Sequence, residues 1–168
     1  MKKHKIFLLL IIISFLFFLT LIFIPKNSII NISSSIGEND RYSEKEYYGY
    51  LIIPSIDMNL GFYDYESPLN DVEYNIELIK TPIEDTYLLA GHSGTGAKAL
   101  FNDLHNLTIG ADVYLKIDDI QTHYVISDIY RVEKIGSIKL KNIPGMLYLT
   151  TCDQIIKGYQ LVIEGSKV

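Results

Sequence analysis

A chain of 168 residues is long enough for one domain of modest size and too short for two ordinary ones. From residue 25 onward it carries 12 Lys and Arg against 20 Asp and Glu, a net charge of −8, which argues against a nucleic-acid partner. One cysteine, Cys152, rules out an intramolecular disulfide framework and leaves a thiol that is either buried and inert or reactive.

Residues 6–24, IFLLLIIISFLFFLTLIFI, form an uncharged apolar run of 19 residues that ends at Pro25. As a helix it is about 28 Å long, close to the thickness of a bilayer's hydrocarbon core. Lys2, Lys3 and Lys5 precede it and only Lys26 follows closely, so residues 1–5 are expected in the cytoplasm and the remainder outside. A cleavable signal peptide is the competing reading. Its apolar region is ordinarily about 7–15 residues and is followed by an A-x-A-like site, and this chain has neither feature. An uncleaved single-pass anchor in the cell membrane is therefore expected. Residues 25–47 are polar and rich in Ser and Asn, as a stalk would be.

Residues 48–168 read as one domain of short strands. YGYLIIPSI and MNLGFYDY are rich in β-branched and aromatic residues, and TYLLAGH (86–92) is a buried strand ending at Gly91. In AKALFNDLHNL the residues Leu100, Phe101, Leu104 and Leu107 fall at helical spacing and predict a helix of two or three turns. DVYLKIDD alternates, with Val113, Leu115 and Ile117 on one face. THYVISDIYRVEKI, GMLYLTTC and GYQLVIEG complete the strands. Many short strands with one or two short helices imply a mainly β fold, a closed or nearly closed barrel.

Cys152 sits where an apolar strand opens into a loop. An ordinary cysteine thiol has a pKa of about 8.5, so catalysis needs a nearby base or cation. His105, on the expected helix, reads as a solvated residue, and His123, inside a long strand, as a sheet-face residue. His92 leaves a buried strand into a loop with Gly94 and Gly96, where backbone can approach a ligand. It suits a general base, although a strand-end histidine is equally readable as structural.

LAGHSG, followed by LFNDL and, sixty residues after the histidine, by LYLTTC, resembles the sortases, membrane-anchored cysteine transpeptidases mostly of Gram-positive bacteria. The likeness spans roughly residues 48–166. It implies an eight-stranded barrel in which Cys152 attacks the Thr–Gly carbonyl of an LPxTG-like signal on a secreted protein. An amine of a cell-wall precursor or a pilin then resolves the thioacyl enzyme, with His92 as acid and base. Thr151 and Ser93 match positions where the family carries small hydroxyl residues near substrate. The family's arginine on the strand after the cysteine is here Gln160, a neutral donor without the guanidinium's charge or fork.

Arg41 lies in the stalk and Arg131 on another strand, so neither readily replaces that arginine, while Lys157 in the preceding loop is a cation of unfixed position. A weakened enzyme is expected before a dead one. A peptidase that hydrolyses its acyl enzyme and a non-catalytic binding domain are the alternatives. No cofactor is implied; Glu84 and Asp85 could bind Ca²⁺, with solvated charge the plainer account. The short segment before the first strand and the lack of a second apolar span lean toward a wall-anchoring type over a lidded pilin type.

Overall fold

The computed structural model describes residues 47–168. The expected anchor, and all but the last residue of the expected stalk, lie outside the described residues. Eight strands follow one another: β1 Gly49–Ile53, β2 Met58–Phe62, β3 Glu77–Ile79, β4 Tyr87–Ala90, β5 Asp112–Ile117, β6 Ile120–Glu133, β7 Met146–Cys152 and β8 Tyr159–Lys167. They form one sheet in the order β2-β1-β5-β6-β8-β7-β4-β3. All neighbours are antiparallel except β4 and β7, which run parallel. An isolated bridge between Phe62 and Ile76, at the ends of the two edge strands, makes this a nearly closed barrel.

Period-two patterning selects the inner face. Leu51 and Ile53 of β1, Val113 and Leu115 of β5, and Leu147 and Leu149 of β7 are almost fully buried in one core, with Phe62, Leu89, Leu161 and Ile163. Each such side chain contributes about 1.5–3 kcal/mol by leaving water. The long strand β6 cannot keep one alternation throughout, because its register against β8 shifts between Ile126 and Asp128. Before this bulge Tyr124 and Ile126 face the core; beyond it Ile129 packs against the core instead. Tyr130 and Val132 therefore join Val162 on the outer face. There they cover a second cluster with Leu88, Met146 and Tyr148, beneath Ile138 and Leu140 of the β6–β7 loop.

The expected two- to three-turn helix is replaced by a 3₁₀ helix over Asn102–Asn106, and a shorter one covers Pro54–Ile56. The reason is local. The Phe101 N–H donates to the His92 carbonyl at 2.9 Å, and the Asn102 side chain accepts from Gly94 N–H at 2.7 Å and donates to its carbonyl at 3.0 Å. These bonds to the 92–94 loop take the place of a first helical turn. Phe101, Leu104 and Leu107 are buried as their spacing suggested.

Candidate active site

Parallel pairing of β4 with β7 puts Ala90 opposite Thr150, so the two strands end side by side, one leading to His92 and the other carrying Cys152. Three bonds lock the ends together. Gly91 N–H donates to the Thr150 carbonyl at 3.1 Å, the Thr151 hydroxyl to the Gly91 carbonyl at 2.8 Å, and the Ser93 hydroxyl to the Cys152 carbonyl at 2.5 Å. His92 is thus flanked on both sides by residues tied to the cysteine's own strand. Gly91 is required here because an added Cβ would stand 2.8 Å from the Phe101 ring. The LFNDL segment therefore buttresses the histidine loop through direct packing and the Phe101–His92 backbone bond.

Alternation along β7 separates the two adjacent candidates. Thr151 points inward, buried, and its hydroxyl is engaged by Gly91. Cys152 lies half-buried on the outer face, with Gln160 of β8 directly across from it and Val132 of β6 across from Gln160. The structure thus brings Cys152, Gln160, Ser93 and the His92 loop together at one end of the sheet, and places Thr151 behind it as a strap.

The polar partners of thiol and imidazole are groups that sequence reasoning did not single out. Cys152 Sγ lies 3.2 Å from Lys134 Nζ, just beyond the end of β6. His92 Nε2 lies 3.2 Å from Glu73 Oε1, and Lys98 Nζ contacts the other carboxylate oxygen at 3.4 Å. Glu73 is held below the usual carboxylate range, first by its hydrogen bond with His92 and then by Lys98. Lys157 is exposed in the turn before β8, and Arg131 is paired with the carboxylate of Asp153. Asp153 is buried, which pushes its carboxyl up. The Ile156 and Ile155 N–H groups and the Arg131 guanidinium outweigh that effect and hold it below its ordinary value.

The other two histidines of the domain belong to the framework. His105 Nδ1 faces the Asn102 carbonyl at 3.3 Å while its Nε2 accepts from Gln154 N–H at 3.2 Å, which ties the β7–β8 loop to the 3₁₀ helix. His123 pairs with Asp112 at 2.7 Å and stacks on Tyr114. Glu84 and Asp85 sit in the turn before β4, where Asp85 has φ 52°. Among the described residues no group of three or more His, Cys, Asp or Glu side chains is disposed to hold a metal ion.

The sortase-domain family model matches residues 51–168, well over half of the chain. The chain belongs to the sortase family. Solved sortases share its fold. Sortase C1 of Streptococcus agalactiae, crystallised as a complex with MTSET, superposes with a TM-score of 0.62 at 23% identity, over 74% of this chain and 70% of that one. Sortase A of Corynebacterium diphtheriae, a lid mutant, gives 0.64 at 19% identity, over 77% and 74%. Sortase C-1 of Actinomyces oris gives 0.61 at 22%, over 71% and 73%. Comparison with curated protein sequences yields no match.

Within this sortase domain, Lys134 and Glu73 escaped sequence reasoning for one reason. Each reaches the site only through long-range placement, from the far end of β6 and from the segment before β3. Parity along β6 would have pointed to Lys134, two residues past Val132, but only once the β6–β8 register was known.

Proposed function

We propose that this sortase is a transpeptidase, anchored in the cell membrane by residues 6–24, with its barrel outside. Cys152 attacks the carbonyl carbon of the Thr–Gly bond in an LPxTG-like sorting signal of a secreted protein. The C–N bond then breaks, and the leaving amine takes its proton from the His92 imidazolium. An amine of a cell-wall precursor or a pilin next attacks the thioester, gives its proton to His92, and releases the Cys152 thiolate. The solved Streptococcus pneumoniae sortase C is described in terms of pilin substrate specificity, a protein substrate of this kind.

The observation that carries this reading is the lock between the β4 and β7 ends, which holds the His92 loop against the strand that bears Cys152. A positioned acid and base contributes about 100- to 10,000-fold to such a reaction. In the structure the imidazole rests on Glu73, on an exposed surface from which a side-chain rotation can bring it to substrate. Cys152 is half-buried and open to a peptide carbonyl. Gln160, across from it, offers a neutral amide donor to the carbonyl oxygen.

The test is incubation of the full chain, in detergent, with a panel of sorting-motif peptides and an amine acceptor such as triglycine. A ligated product formed in preference to the free acid is expected. Free acid alone would assign the protein as a peptidase, and no cleavage of any peptide would overturn the catalytic reading.

A further inference from the structure

The position that resemblance assigns to a catalytic arginine is the neutral Gln160, yet the nucleophile is not without a cation. Lys134 Nζ stands 3.2 Å from Cys152 Sγ. Its placement follows from the sheet. Val132, Gln160 and Cys152 lie in one row across β6, β8 and β7, on the outer face. Lys134 comes two residues after Val132 and so shares that face. Its backbone N–H donates to the Gly158 carbonyl at 2.8 Å, which fixes the start of the side chain beside the β7–β8 turn.

Two other cations near this end of the barrel are engaged with carboxylates, and a third is exposed. Arg131 binds Asp153, Lys98 binds Glu73, and Lys157 is exposed in its turn. We propose that Lys134 is a catalytic residue of this sortase: its ammonium stabilises the Cys152 thiolate and replaces the charge absent at Gln160. The proposal rests on the transpeptidase reading for its purpose, but the ion pair itself is testable without any peptide. A lysine suits the task. It is a point charge with three donors on a flexible stem, so one N–H can stay on sulfur while another faces the oxygen that becomes negative during attack. Lys134 keeps all its protons through the cycle. The thiol proton goes to His92, the S–C bond forms as the carbonyl π electrons move to oxygen, and the C–N bond breaks when that oxygen reforms its double bond.

Alkylation of the full chain by iodoacetamide, a neutral reagent, reads the thiolate directly. Lys134→Gln should slow alkylation at pH 7 by about three- to tenfold, an effect set by one nearby but solvent-exposed charge. Lys134→Arg should retain most of the rate, and Lys139→Ala, on the same loop and exposed, should match the wild type. The wild-type rate should fall as NaCl rises from about 0.05 to 0.5 M, because an exposed pair is screened, whereas the Lys134→Gln rate should stay flat. A Lys134→Gln rate equal to wild type overturns the proposal. If that variant does not fold, a salt-insensitive wild-type rate overturns it equally. Slower alkylation in Lys134→Gln, with no peptide cleaved by the wild type, would sustain the ion pair and remove only the transpeptidase reading.

Discussion

The β6–β7 loop sends two lysines to the same outer face of the barrel, and they meet very different anions. Near the loop's end, Lys141 Nζ contacts the carboxylate of Glu164, a side chain almost fully buried that also accepts from the Tyr130 hydroxyl at 2.9 Å. At the loop's start, Lys134 contacts the half-buried Cys152 thiol. The first pair closes the loop over the cluster of Leu88, Met146, Tyr148 and Val162. Its partners are set for good: hydrogen bonding to Glu164 raises the Lys141 ammonium above its ordinary pKa, and burial followed by the same carboxylate pushes the Tyr130 hydroxyl up. The second pair is left open, because a nucleophile sealed under a loop could not reach a peptide. One loop thus serves as a clamp at one end and leaves a charge free for chemistry at the other.

That division is breakable by mutation. The largest effect should come from the site end: His92→Ala should lower turnover of a sorting peptide by about 100- to 10,000-fold, with thermal stability unchanged, as measured by initial rates and a melting curve. Next, Glu164→Gln removes a buried charge without changing shape. It should cost about 2 kcal/mol of stability in a denaturant titration, within the range for a disrupted buried network, while leaving iodoacetamide alkylation of Cys152 within about twofold. Lys134→Gln should do the reverse, shifting stability by no more than about 0.5 kcal/mol as an exposed substitution does. If Glu164→Gln slowed alkylation as much as Lys134→Gln, the two ends of the loop would not be separable.

A smaller effect concerns acid. Asp153 is held below its ordinary value in the folded chain, so its contribution is present above about pH 4 and is lost as pH falls through that lowered value. Melting temperatures taken between pH 5 and 2.5 should therefore drop more steeply in the wild type than in Asp153→Asn; equal slopes would refute the assignment. The smallest lies at the other extreme. Lys141 is raised, so its contribution is intact below about pH 10.5 and disappears only as pH rises beyond. Between pH 6 and 9 the stability gap between wild type and Lys141→Met should stay flat, and a gap that closes in that interval would contradict the clamp.

What the sequence disclosed follows from the range of the interactions involved. β5 was legible because Val113 and Leu115 alternate cleanly with outward residues, and β7 because an apolar run stops at a loop. The three-residue β3, Glu77–Ile79, carries too little pattern to be seen. The AKALFNDLHNL helix was overestimated because its apolar spacing reports burial, whereas its backbone is bonded to the His92–Gly94 loop. At the site, Cys152 and His92 stood out as strand-end residues, and parity places Gln160 on the face of the cysteine and Thr151 on the other. Lys134 and Glu73 did not stand out. Their relevance depends on a strand register with a bulge and on a loop crossing from another edge, and neither leaves a local trace.

Acylation of Cys152 is the central step of the proposed reaction, and peptide mapping tests it most directly. The full chain is mixed with an LPxTG-containing peptide, quenched in acid, digested and examined by mass spectrometry. An acyl adduct ending at the peptide's threonine and carried by the fragment with Cys152 is the predicted result, absent in Cys152→Ala. Cleavage of the peptide with the Cys152 fragment unmodified and Cys152→Ala equally active would contradict it.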